Sequence, residues 1–301
     1  MDLGTNTFHL LIAEGDIHNY HEIVHVTEAV KLGEGGINKG YILPEAFQRG
    51  VNTMQRFQQL IEGNNAAAVR AIATSALRSA SNGKDFIKEV EAKTGIIIEI
   101  IDGEQEAGFI YNGVKLSGCL SAKNSLIMDI GGGSVEFILG NTDKILWKQS
   151  FEVGAARLMD QFHHTDPIPP ASIEALNLYL EDRLHDLFIA TTDIQIETLV
   201  GSSGAFETFA GLIESEKAKP FDLKGVQHYD FDEEELLTVT NKLILSNHKD
   251  RLANKGIIPV RVDMIVAASL VTRFIMHALD IHKVSMCTNS LKEGVLAGML
   301  G

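Results

Sequence analysis

Two segments of this chain open in the same way, and that duplication constrains the fold more than any other feature. Asp2-Leu3-Gly4-Thr5 and Asp129-Ile130-Gly131-Gly132 each set a carboxylate two residues before a glycine at the edge of an apolar run. Around the second copy, 125–139 reads as strand, glycine turn, strand. Around the first, Gly4 makes the bend and Phe8 to Ala13 supply the apolar strand. Only Met1 precedes Asp2, so either the first strand is unusually short or the sequence lacks a few residues before it. Two such hairpins imply two units of similar design.

Between the hairpins, helix and strand patterns alternate. Pro44 to Glu62 carries apolar residues at helical spacing, with Pro44 suited to a first-turn position. A strand at 69–73, a loop at Thr74–Ser75, a helix at 85–93 and a β-branched strand at 96–101 follow. Beyond the second hairpin the pattern predicts a helix near 170–187, a strand at 198–201, a small-residue turn at Ser202-Ser203-Gly204 and a last long helix near 261–279. This alternation predicts α/β units on a mixed or parallel sheet. No Ser/Gly-rich linker divides the two parts, so they should abut across a cleft.

The hairpins also carry chemistry. A glycine turn lets backbone N–H groups approach a phosphate without interference from Cβ atoms. Thr5, Asn6, Thr7 and Ser134 add side-chain donors. A carboxylate at each strand end, Asp2 or Asp129, can hold Mg²⁺ (or Mn²⁺) directly or through water. Thr74, Ser75 and Arg78 follow a strand and can reach phosphate oxygens, the guanidinium in a fork. The turn after 96–101 holds Asp102, Glu104 and Glu106, any of which can take a proton from water or simply complement a helix dipole.

Composition narrows the partners. With 26 Lys and Arg against 40 Asp and Glu, the net charge is −14, which argues against general nucleic-acid binding. Any polyanion must then be held by local N–H groups and a cation against a repulsive overall field. No stretch is long and apolar enough for a membrane span, and no basic segment followed by an apolar run marks a secretory signal. The two cysteines, Cys119 and Cys287, offer neither a disulfide framework nor metal-ligand spacing, and a reduced cytoplasm is expected. His163-His164 reads as a surface loop, 232–235 as an acidic helix start and Trp147 as packing.

Four segments in order, 2–13, 73–78, 103–114 and 129–136, resemble the exopolyphosphatase / guanosine pentaphosphate phosphatase (Ppx/GppA) family. Its members carry Asp-Leu-Gly-Ser-Asn-Ser-Phe-His, Ala-Thr-x-x-Leu-Arg, Gly-x-Glu-Glu-Ala-Arg and Asp-Ile-Gly-Gly-Gly-Ser-Thr-Glu. Gly201, Ser202, Ser203 and Gly204 resemble its third glycine turn, while 258–265 and 291–294 resemble its C-terminal segments. The resemblance implies a two-domain actin-like / sugar kinase / Hsp70 (ribonuclease H-like) fold with an interdomain cleft. Domain I would comprise 1–120 plus 287–301, and domain II 121–286.

Carried over, Glu106 is the catalytic base and Arg78 the phosphate-binding arginine. Asp129 and Glu136 match the acidic residues grouped around the metal, which Asp2, as a strand-end carboxylate, would join. Thr5, Asn6 and Gly131, Gly132, Gly133 and Ser134 are phosphate-loop positions. Departures are Gln105 for the first glutamate of the pair, Gly108 for an arginine, Val135 for a threonine, and 288–290 in place of an Asp-Gly-Ala run.

The expected activity is metal-assisted hydrolysis of the terminal phosphate of inorganic polyphosphate, by a protein expected to be a homodimer. The alternatives are release of the 5′ γ-phosphate of guanosine pentaphosphate, or non-catalytic sensing of guanosine tetraphosphate, which Gly108 and 288–290 would suit. Length favours polyphosphate, because larger family members add a C-terminal helical domain. A sugar or acetate kinase on the same fold would need an acceptor pocket, for which no motif is present.

Overall fold

The computed structural model describes residues 1–17, 19–218 and 221–301. Its first part runs β1 (Asp2–Leu3), β2 (Thr7–Asp16), β3 (Asn19–Ala29), α1 (Pro44–Gly63), β4 (Ala71–Ala73), α2 (Ser75–Ser79), α3 (Gly83–Thr94), β5 (Ile98–Ile100) and α4 (Gly103–Leu116). The second part runs β6 (Ser125–Ile130), β7 (Val135–Gly140), β8 (Ile145–Phe151), α5 (Ala155–Phe162), α6 (Pro170–Arg183), α7 (His185–Thr191), β9 (Thr198–Gly201) and α8 (Gly204–Glu216). It continues through β10 (His228–Phe231), α9 (Glu233–Leu245), α10 (His248–Ala253), α11 (Ile265–Ala278), β11 (Val284–Cys287) and α12 (Leu291–Leu300).

The duplication seen in the hairpins extends to whole sheets. The first sheet has the order β3-β2-β1-β4-β5, and the second contains β8-β7-β6-β9-β11 with β10 added at its far edge. In both, the first three strands are antiparallel neighbours and the next two join in parallel. Asp2 pairs with His9 as Asp129 pairs with Glu136. This is the two-domain actin-like, ribonuclease H-like fold that the resemblance implied.

The central strands β4, β6, β7 and β9 are buried on both faces, as strands covered on both sides must be. Leu126, Met128, Phe137, Leu139 and Leu199 face one core with the helices of the second part, while Ala71 and Ala73 face another with those of the first. The alternate residues Ile72, Ile127, Ile138 and Val200 meet a third core built with α4 and α12, which therefore lie between the sheets. Glycines let these two helices cross closely: a Cβ on Gly113 or Gly294 would strike the other helix's chain.

The first strand is short, one of the two outcomes the sequence allowed: it has two residues, with the Ile72 N–H extending its pairing to Met1 O at 3.1 Å. Other elements differ from the sequence reading. The stretch near 170–187 is two helices that break at the fully buried Leu184. The last long helix starts at Ile265, because Pro259–Arg261 forms a separate 3-10 turn. Ser75, expected in a loop, opens α2. Among the described residues no helix is long and apolar enough to cross a membrane.

Candidate active site

The two glycine turns are built alike. Gly4 N–H donates to Thr7 O and Gly131 N–H to Ser134 O, each at 3.0 Å. Neighbouring loops hold the tip carbonyls: Gly33 N–H reaches Thr5 O and Lys31 N–H reaches Asn6 O, while Ala155 and Ala156 N–H groups reach Gly131 O and Gly132 O. With the carbonyls engaged this way, N–H groups are what the tips offer an anion. The turns also approach each other closely. A Cβ on Gly133 would lie 2.5 Å from Ser75 Oγ and 2.6 Å from Thr5 Oγ1, so only glycine fits there.

Between the sheets lies a cleft of about 230 Å³. Asp2, Gly4, Thr5, Asn6, Thr7, Thr74, Ser75, Glu106, Asp129, Gly131, Gly132, Gly133, Ser134, Glu136, Ser203 and Gly204 all line it. Three expected site residues do not. Gly201 lies under the Phe206 ring, and Ser202 is fully buried behind the wall, where its hydroxyl donates to Asp129 Oδ2 and Asn289 O, both at 3.2 Å. These two support Asp129 rather than face a ligand. Arg78 also stands outside the lining, donating to Glu106 Oε2 at 2.9 Å and Ile101 O at 3.1 Å. Its nearest anion is therefore the expected base itself.

Glu106 is placed by a helix start. Asp102 accepts from the Gln105 N–H at 2.8 Å, and Gln105 Oε1 accepts from the Asp102 N–H at 3.1 Å, a capping box that fixes the first turn of α4. Gln105 thus does the capping work open to a glutamate at that position. The second departure is also compensated: Lys148 Nζ sits 3.3 Å from where a Gly108 Cβ would be, so a cation still occupies this spot. Val135 is a buried strand residue, and Ser290 caps α12 with Glu293.

Two buried carboxylates, Glu106 and Glu136, share the cleft with two half-buried ones, Asp2 and Asp129, and their ionisation reflects it. Burial raises Glu106 well above the usual glutamate value, Glu136 raises it further, and Arg78 opposes both. Burial and then Glu136 raise Asp129 likewise. Glu136 is raised by burial against hydrogen bonds from Ser134 and Ser150, the latter at 2.6 Å. Burial lifts Asp2 to about 6, and its Oδ1 is buried without a hydrogen-bond partner.

Among the described residues no three His, Cys or carboxylate groups converge into a ready metal cage. A hard cation that keeps several waters and takes one or two carboxylates fits this donor set, with the orphaned Asp2 oxygen and the mutually repelling acids as the groups it would satisfy.

Sequence reasoning passed over several cleft residues. Arg261 lines the cleft against Gly204, bonded to Glu207 at 2.7 Å and Thr208 at 3.1 Å. Lys292 pairs with Glu293 at 2.9 Å; burial lowers its pKa, but Glu293 together with Glu207 and Asp2 more than offsets that. His9 bonds Thr7 and Thr27 at 3.0 Å each, and burial holds its pKa down at about 3, so it stays neutral. Both cations fall in segments that matched the family pattern, a signal that carried no role. Arg157 was invisible to it. From α5 it donates to Gly133 O at 2.8 Å and Ile37 O at 3.0 Å, joining the two parts, and it pairs with Glu152, which also contacts Ser75 and Arg78.

The site is thus a cleft between duplicated sheets, lined by two glycine turns and by Asp2, Glu106, Asp129 and Glu136. The Ppx/GppA phosphatase family model matches residues 11–301, and the chain belongs to that family. It is 38% identical to an exopolyphosphatase from Cytophaga hutchinsonii whose crystal structure it matches with a TM-score of 0.96, covering 99% of this chain and 96% of that one. Exopolyphosphatase 2 of Mycobacterium tuberculosis is 26% identical over all of this chain and 98% of its own length. The guanosine-5′-triphosphate,3′-diphosphate pyrophosphatase of Aeromonas salmonicida is also 26% identical over all of this chain, which spans 59% of that protein.

Proposed function

We propose that this phosphatase-family chain is an exopolyphosphatase, hydrolysing the terminal phosphate of inorganic polyphosphate. The observation that carries the reading is Glu106: a buried carboxylate of raised pKa, tied to Arg78 and facing both glycine turns across one cleft. The name of the 38% identical Cytophaga protein supports this substrate over guanosine pentaphosphate.

The turns around Gly4 and Gly131 grip the last phosphates through N–H groups, with Thr5, Asn6, Thr7, Thr74, Ser75 and Ser134 adding side-chain donors. Asp129, Glu136 and Asp2 would hold Mg²⁺ or Mn²⁺, which would supply neutralisation of phosphate charge. Glu106 accepts the proton from the attacking water, a role its raised pKa suits near neutral pH. Arg78 opposes the rise in Glu106 and holds its carboxylate by a hydrogen bond, while its Nη2 lies 3.7 Å from Glu152. The leaving group is a phosphoanhydride oxygen, acidic enough to depart without a strong general acid.

The test is Glu106→Gln, which keeps the shape and removes the base. Phosphate release from polyphosphate is expected to fall by about 10²–10⁴. Near-normal release would remove Glu106 from this role.

A further inference from the structure

The two cysteines lie far apart in sequence yet meet in the fold. Ser117 Oγ sits 3.0 Å from Cys287 Sγ and accepts the Cys119 N–H at 3.3 Å. Cys119 Sγ lies 3.5 Å from Gln227 O, and Cys287 Sγ lies 3.4 Å from Asn289 O. Gln227 O also accepts the N–H of Thr288, next to Cys287, at 3.2 Å, and His228 pairs with Cys287 across β10 and β11, so the two cysteines share one neighbourhood.

Their place in the topology gives the meeting meaning. All strands of the first sheet precede residue 117, and all strands of the second lie between 125 and 287. The chain therefore passes from one part to the other through 117–124, after α4, and returns through 288–290 before α12. Cys119 is on the outward passage and Cys287 at the start of the return. We propose that Cys119 and Cys287 form a thiol-oxidation site whose disulfide ties together the two passages joining the halves of the protein.

The two sulfurs differ as such a site requires. Cys119 is half-buried and reachable, whereas Cys287 is buried beside it. The interaction with Cys287 lowers the Cys119 thiol to about 6, with Ser117 and His228 adding to the effect against burial. A reachable thiolate next to a second thiol is the arrangement in which an oxidised sulfur is captured as a disulfide.

With hydrogen peroxide as oxidant, the Cys119 thiolate attacks one oxygen and the O–O bond breaks. Hydroxide leaves and takes a proton as water, and Cys119 becomes the sulfenic acid. The Cys287 sulfur then attacks the Cys119 sulfur. The S–O bond breaks, and hydroxide departs with the Cys287 proton as a second water. Two thiols are oxidised and one peroxide is reduced.

The consequence reaches the cleft through one residue. Asn289 O accepts from Ser202 Oγ, which also donates to Asp129, and Ser290 caps α12. Fixing Cys287 to Cys119 restrains this return passage, and with it the position of Asp129 and the movement of the two parts around a ligand.

The experiment treats the full chain with hydrogen peroxide, blocks free thiols, and maps peptides without reduction. A peptide pair joined through Cys119 and Cys287, released by dithiothreitol and absent in Cys119→Ser and Cys287→Ala, is the expected result. Cys119 overoxidised with no joined pair, or joined only between chains, overturns the site. This mapping needs no activity, so it stands apart from the substrate reading. In parallel, phosphate release from polyphosphate is expected to fall several-fold on oxidation and to return with dithiothreitol, with Cys119→Ser unaffected by peroxide. Full activity in the disulfide form overturns the coupling to the cleft.

Discussion

Replacing Arg78 with glutamine separates two jobs that an arginine beside a phosphate site can do. Arg78 Nη1 donates to Glu106 Oε2 at 2.9 Å, and both side chains are largely shielded, at 21% and 7% exposure. A hydrogen bond to a charged group contributes about 1.5–3 kcal/mol net, and each pKa unit corresponds to about 1.4 kcal/mol. Burial and Glu136 already push Glu106 up, so losing Arg78 raises it further. Because the base works only when ionised, the acidic limb of the rate profile should move about one to two pH units alkaline. Activity then falls at neutral pH and recovers in part as pH rises. The assay is kcat/KM for phosphate release from a short polyphosphate across pH, wild type against Arg78→Gln. An acidic limb that stays put while the rate falls equally at every pH would show that Arg78 acts on the phosphate alone, and would refute the argument.

Three further outcomes follow from the geometry. Gly133→Ala drives a Cβ against Thr5 and Ser75 and should part the glycine turns, costing about 1–3 kcal/mol and most of the activity while circular dichroism stays native. Asp2, raised from 3.8 to about 6, binds its proton more tightly folded than unfolded, so it favours the folded state fully below pH 3.8 and loses that contribution as pH rises through 6. Without divalent cations, Asp2→Asn should therefore gain stability over wild type, on the order of 3 kcal/mol, between acid and neutral pH, and Mg²⁺ should shrink the gap; parallel stability curves would count against it. Arg251 is buried and grips Asp166 through both guanidinium nitrogens at 3.0 and 2.9 Å, so Arg251→Ala should lower the urea midpoint by an amount worth about 3–5 kcal/mol.

The duplicated Asp-x-Gly turns made the fold legible, because a glycine turn between apolar strands is a local signal and its repetition implies two matching sheets. The same signal named the two glycine turns of the cleft wall, from Gly4 to Thr7 and from Gly131 to Ser134. What it could not supply depends on long-range contact. Gly201 and Ser202 share the composition of a phosphate turn, yet Phe206 and Asp129 claim them from the other side. Arg157 reads as an ordinary helix cation until α5 brings it to Gly133 and Ile37. The break between α6 and α7 falls at the buried Leu184, where no glycine or proline marks it in the sequence. The meeting of Cys119 and Cys287 has no trace in spacing, since it arises where the chain leaves one sheet and where it returns.

The decisive measurement is phosphate release from polyphosphate and from guanosine pentaphosphate, side by side, with Mg²⁺ and with EDTA. Release from polyphosphate is expected to be faster than from the nucleotide, lost with EDTA and lost in Glu106→Gln. Faster release from guanosine pentaphosphate would contradict the proposed substrate, and release from neither would contradict the hydrolase itself.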